Sequence, residues 1–179
     1  MRYRIGILGL IVAAMMPVFS APKIVATGQE KKDYLTEEEA DKIRDADSPS
    51  ERIKLYITFA EDRLTKFQYE LTRQNPDRRK DEMLNALMNA YAGCMDDAAD
   101  QIEVAKQKQV DIHAALKIMA GKGKGFLETL QKLNKGSGPD FESYKETLED
   151  AIEGTTDALT DTENAQKEML PPPVRRKPN

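Results

Sequence analysis

The 179-residue sequence has no tryptophan, one cysteine (Cys94) and one histidine (His113). A single cysteine excludes an intramolecular disulfide framework and any multi-cysteine zinc or iron–sulfur site. A single histidine excludes most histidine-based metal centres and leaves little for histidine-dependent catalysis. Glycine and proline number only 10 and 9, so the body is not rich in loops. What is present is charge, at 32% of residues, beside 40% hydrophobic residues. That balance fits a soluble helical or globular chain rather than a disordered, collagenous or polytopic membrane one. The length is enough for one domain with a real core.

The start carries the features of a secretory signal. Arg2 and Arg4 precede an uncharged, mostly apolar run over residues 5–19, Pro17 breaks it, and Ser20-Ala21 offers small residues for cleavage. About 15–17 apolar residues is short for a membrane span. Cleavage after Ser20 is therefore expected, with an uncleaved anchor as the alternative, and no stable span remains after cleavage. Processing removes two positive charges and no acid, taking the net charge from −4 to −6. Without Arg175, Arg176 and Lys177, residues 21–170 carry −9. An acidic body matches phosphate backbones poorly, so nucleic acid is not an expected partner.

Residues 21–34 lack periodicity and read as a flexible linker. Helix signals then follow in close order. Thr36 and Glu39 form a capping-box pattern, and Ser48-Pro49-Ser50-Glu51 repeats it with proline at the first helical position. The stretch YLTEEEADKIRDADSPSERIKLYITFAEDRL, Tyr34 to Leu64, resembles uncharacterised secreted helical proteins of bacteria. The resemblance implies export and an all-helical fold, and it brings no catalytic motif and no established activity.

Beyond Pro49 the apolar residues step in threes and fours along four stripes. The first is Ile53, Ile57, Ala60, Leu64, Phe67 and Leu71. The second runs from Leu84 through Leu87, Tyr91, Cys94, Ala98 and Ile102 to Ala105, and the third from Ile112 through Leu116, Met119, Gly123, Phe126 and Leu130 to Leu133. The last is Phe141, Tyr144, Leu148, Ala151, Thr155, Ala158, Thr162, Ala165 and Met169. Such spacing predicts long packed helices. Asn75-Pro76-Asp77 and Asn134–Asp140 mark turns, and Asp77 and Asp111 are available as caps. A continuous helix over 77–135 would be about 88 Å long. A turn near Gln107–Asp111 gives four helices of matched length instead, so the expected fold is an all-α antiparallel four-helix bundle with a short N-terminal helix. The bundle domain is placed at 35–170, with a proline-rich basic tail over 171–179.

No catalytic, cofactor-binding or metal residue is assigned. Cys94 falls on an apolar stripe beside Asp96 and Asp97, which suits a buried, inert thiol rather than an activated one. His113 begins a helix without a second histidine near it. Asp96, Asp97, Asp100 and Glu103, and Glu37 to Glu39, fall mostly between apolar positions and read as solvated faces. Gly121-Lys122-Gly123-Lys124-Gly125 departs from the phosphate-loop spacing and stands in a helical context. Gly123 lies on the seam, at the expected level of Ile57, Cys94 and Ala151. Close helix approach is the favoured reading there, with a ligand pocket and a merely softened helix as alternatives. The functional expectation is an exported, non-catalytic binding or structural module of the cell envelope or the exterior, with an unknown protein or envelope partner and no cofactor. The alternative is a small-ligand, metal or redox bundle using Cys94, His113 and nearby methionines.

Overall fold

The computed structural model describes residues 34–73 and 79–169. The expected signal segment, most of the linker, the Asn75-Pro76-Asp77 turn and the basic tail lie outside the described residues. Five helices follow in order: α1 (Glu37–Asp45), α2 (Pro49–Thr72), α3 (Lys80–Gln107), α4 (His113–Asn134) and α5 (Phe141–Glu168). No strand occurs among the described residues.

The caps explain where the helices begin. Thr36 accepts from the Glu39 backbone N–H, and the Glu39 carboxylate accepts from the Thr36 N–H at 2.9 Å, which completes the expected box. Ser48 caps α2 by accepting from Glu51 N–H at 3.2 Å, with Pro49 in the first turn. The Glu51 carboxylate differs from expectation. It takes the N–H of Asp47, one residue before the cap. Neither acid proposed for the later starts occupies the cap position: Arg79 precedes α3 and Ile112 precedes α4, both without a side-chain cap bond. Ile112 is fully buried, and this anchors the turn. Asp111 instead accepts from the N–H of His113 at 3.1 Å.

The turn near Gln107–Asp111 is present and excludes the continuous 77–135 helix. α3 ends with Gln109 N–H on the Lys106 carbonyl and Val110 N–H on the Ala105 carbonyl. This double closure needs a left-handed residue, and Gln109 supplies it at φ 51°. A non-glycine residue there costs about 1–2 kcal/mol, offset by the two bonds that end the helix.

The apolar stripes form the core as expected. All of Ile53, Ile57, Leu84, Tyr91, Cys94, Ile102, Leu116, Met119, Leu130, Leu148, Ala151, Thr155 and Ala165 are buried. The packed pairs are α2 with α3, α3 with α5, α5 with α4 and α4 with α2. Consecutive helices α3 and α4 therefore stand across a diagonal, as do α2 and α5. Aromatic edges meet through the core along both diagonals: Phe67 with Tyr144 at 5.1 Å, and Tyr91 with Phe126 at 6.0 Å between ring centres.

The diagonal placement makes α3 and α5 parallel neighbours. Lys80 meets Asp140 near their starts, Asn85 meets Thr147, Tyr91 meets Thr155, and Lys106 meets Glu168 near their ends. The separation stays at 62 residues for both Asp81–Ser143 and Asn85–Thr147, so the register hardly drifts. This register moves Ala151 away from the level of Cys94. The α5 residue facing Gly123 is Leu159, whose Cδ2 would lie 2.9 Å from an added Cβ. The space at Gly123 is thus taken by a leucine side chain of α5 rather than by a neighbouring helix backbone, and its partner differs from the one the stripe count gave. Gly121 and Gly125 face open space.

Candidate functional site

The densest polar cluster of the described residues lies where α1 meets α2 and α3. Its centre is Arg63, placed on α2 among the apolar residues Phe59, Ala60, Leu64 and Phe67, and only 6% exposed. A buried guanidinium must be paired, because desolvating it alone is costly. Arg63 donates from Nη1 to Glu39 Oε1 at 2.9 Å and from Nη2 to Glu39 Oε2 at 2.5 Å, a two-pronged pair. Nη1 also reaches Asp62 at 2.7 Å, and Nη2 donates to the Tyr34 carbonyl at 3.2 Å.

Tyr34 closes the cluster from above. Its hydroxyl donates to the carboxylate of Asp97 on α3. Its ring covers Gly93, where an added Cβ would stand 2.9 Å from ring carbons. Gly93 is one of the few positions here where the absence of a side chain is required by a neighbour. Glu39 serves two ends at once, as capping-box acid and as partner of Arg63. Burial acts to raise the Glu39 carboxyl, and the bonds from Arg63 and the Thr36 N–H outweigh it, leaving it below its ordinary value. Arg63 is held further toward its charged form, first by the Glu39 bond and against burial.

Three expectations are corrected here. Glu39 is not on a solvated face: its side chain is 13% exposed and pairs with Arg63. Asp97 is not part of a solvated face: it is 7% exposed and takes the Tyr34 phenol. Its burial follows from a partner 63 residues away, which no local pattern of α3 could reveal. Tyr34, the last residue of the expected linker, belongs to the folded body. Asp96 and Asp100 do remain exposed, and Glu103 is partly so.

The other sequence candidates are scattered rather than brought together. Cys94 is fully buried in the core, as expected. Arg63 stands close enough to it to interact electrostatically, a positive neighbour absent from its own helix. The burial keeps reagents away from the sulfur. His113 lies in the first turn of α4 with Nδ1 2.9 Å from Asp111. On the far side of α3, the Tyr91 hydroxyl and Thr155 Oγ1 are 2.8 Å apart inside the core, and Thr155 donates onward to the Ala151 carbonyl at 2.6 Å. Burial raises the Tyr91 phenol well above its ordinary value, so it stays neutral. Asp96 is exposed overall, yet partial desolvation of its carboxyl, with Asp100 and Asp157 nearby, raises it above its ordinary value. Among the described residues, no group of three or more His, Cys, Asp or Glu side chains is placed to hold a metal ion.

An open groove of about 440 Å³ runs between α1 and the first half of α2, lined by Lys42, Asp45, Glu51, Lys54, Leu55 and Thr58 among others. Its charges are of mixed sign, and most of its lining surface is apolar. Among the described residues, no helix is long and apolar enough to cross a membrane. No family model, no curated protein and no solved structure matches the chain.

Proposed function

We propose that this chain is an exported, non-catalytic helical bundle serving as a binding or structural module in the cell envelope or outside the cell. The observation that carries the reading is the use made of Arg63. The most deeply buried charge of the described residues fastens an N-terminal arm to the bundle, through Glu39 and the Tyr34 carbonyl. Chemically capable groups are engaged in the same way: Tyr91 is spent on Thr155 and Asp97 on Tyr34.

Export is supported by Arg2 and Arg4 ahead of the apolar run at 5–19, and by the resemblance of Tyr34 to Leu64 to secreted bacterial helical proteins. The partner class is a protein or an envelope component. An acidic body, −9 over residues 21–170, disfavours nucleic acid.

Fractionation of the native host, with intact-mass analysis and cross-linked co-purification from the envelope and medium, tests the proposal. The expected result is a mature chain beginning at Ala21, recovered outside the cytoplasm with a reproducible protein partner. A cytoplasmic chain that retains Met1 would overturn the export reading. A chain that carries visible absorbance or stoichiometric metal after purification would replace the module with a cofactor-binding bundle.

A further inference from the structure

Helix α1 buries none of its own side chains. It is held by what Tyr34 and Glu39 place on the surface of α2 and α3, with Leu35 and Ile43 packed partly buried against the core. That surface is shaped to receive them. Gly93 leaves the room that the Tyr34 ring occupies and so forms the floor of a notch, Asp97 accepts a phenol proton at one end, and Arg63 offers two parallel donors to a carboxylate at the other. The recognising groups all belong to α2 and α3, and the arm brings only the complementary ones. The link between arm and body is Ala46-Asp47-Ser48, extended at Ala46 (φ −65°, ψ 123°) and at Ser48 (φ −141°, ψ 153°).

We propose that the notch formed by Gly93, Arg63 and Asp97 is an exchangeable binding site for a polypeptide arm carrying a tyrosine and, five residues later, a carboxylate, and that the occupant in trans is the Tyr34–Asp45 arm of a second copy of this chain. The complementarity that such an occupant needs is already present in the sequence. Exchange breaks and remakes the same bonds and the same partly buried apolar contacts of Leu35 and Ile43, and it removes no fully buried side chain of α1 from the core. Swapping an identical element between copies has little intrinsic cost. What opposes it is concentration: an arm on a short link competes in cis at an effective concentration of about the millimolar range. Exchange is therefore a property of crowded or co-anchored copies, and dilute chains keep their own arms.

Two full-chain variants, processed as their host leaves them, separate site from occupant. Tyr34→Ala/Glu39→Ala empties the notch, and Gly93→Leu fills it while leaving the arm intact and undocked. Sedimentation of each alone is expected to give a monomer, and of the two mixed a one-to-one complex. No complex in the mixture overturns the proposal, as does a complex that persists when both chains carry Gly93→Leu. Circular dichroism checks that both variants keep their helices. Should either lose them, a labelled peptide of residues 33–47 titrated into wild-type and Tyr34→Phe chains reads the same site. Saturable binding is expected, tighter by about threefold or more for Tyr34→Phe, whose own arm lacks the Asp97 bond. Absent binding, or equal binding to both chains, overturns the proposal.

Discussion

Helices α1 and α5 both carry many charged residues, α1 the more densely, and they are held by opposite means. α5 buries Tyr144, Leu148, Ala151, Thr155, Ala158, Thr162 and Ala165, one residue on nearly every turn, and the apolar area removed from water holds it. α1 buries none and is fastened by a guanidinium, two carboxylates and a phenol. Apolar burial is non-directional and tolerates sliding. The α1 fastening is directional and depends on charge, and Leu35 and Ile43 add only partly buried apolar contact to it. Two layers of stability therefore coexist in one chain: a cooperative four-helix body and an arm clasped to it.

The sharpest way to break the comparison is to damage the body. Leu148→Ala removes a fully buried side chain from α5, and urea unfolding is expected to show a loss of about 2–5 kcal/mol with arm and body falling together. Damage to the clasp should behave differently. Arg63→Met keeps the apolar stem and removes the guanidinium, at a cost of about 1.5–3 kcal/mol as charged hydrogen bonds go. The cost stays at that level because the arm can leave, returning Glu39 to water instead of stranding it. Limited proteolysis near Arg44 should accelerate in this variant while the urea midpoint of the body moves less than for Leu148→Ala. Equal shifts in both readouts would merge the two layers into one.

Acid should loosen the arm first. The Glu39 carboxyl lies below its ordinary value of 4.5 in the folded chain. Its contribution is therefore complete above that value and is lost as pH falls through the folded value. Tyr34 ring resonances followed by NMR are expected to take on undocked shifts below pH 4.5 while the Tyr91 signals stay native. Tyr91 and Tyr34 changing together would contradict the separation.

The smallest effects sharpen the packing of the body. Gly121→Ala and Gly125→Ala meet open space and should each stabilise by up to about 1 kcal/mol through helix propensity. Gly123→Ala gains the same propensity but pushes against Leu159. A half-buried leucine tip can turn aside at about 0.5–1.5 kcal/mol, so a net change near zero is expected. Chemical denaturation of the three single variants checks the order, and Gly123→Ala matching the other two would mean that Leu159 yields without cost.

Much of the body was legible because helical signals are local. The Thr36–Glu39 box, Ser48 with Pro49, the stripes and the turn after Gln107 all express themselves within a few residues, and each stands where the spacing placed it. The arrangement of helices around the core was less legible. Four stripes of similar width do not say which pairs are diagonal, and the parallel pairing of α3 with α5 rests on contacts 62 to 64 residues apart. The clasp was not legible at all. Arg63 falls one residue before Leu64 on a stripe edge, Asp97 looks like one acid among several, and Tyr34 looks like linker. Only the fold brings them together. Gly93 was the available hint: a glycine in the middle of a long helix costs about 1 kcal/mol and asks for a neighbour that needs the space. Tyr34 is that neighbour.

Native-state hydrogen exchange, resolved helix by helix, tests the central claim most directly. Amides of α1 are expected to exchange through a local opening at a free energy well below that of α2–α5, and Arg63→Met should lower it further without altering the protection of α3 and α5. Exchange of α1 at the same free energy as the core, falling in step with it in Leu148→Ala, would contradict the account: the arm would then be part of the cooperative body and no separate clasp would exist.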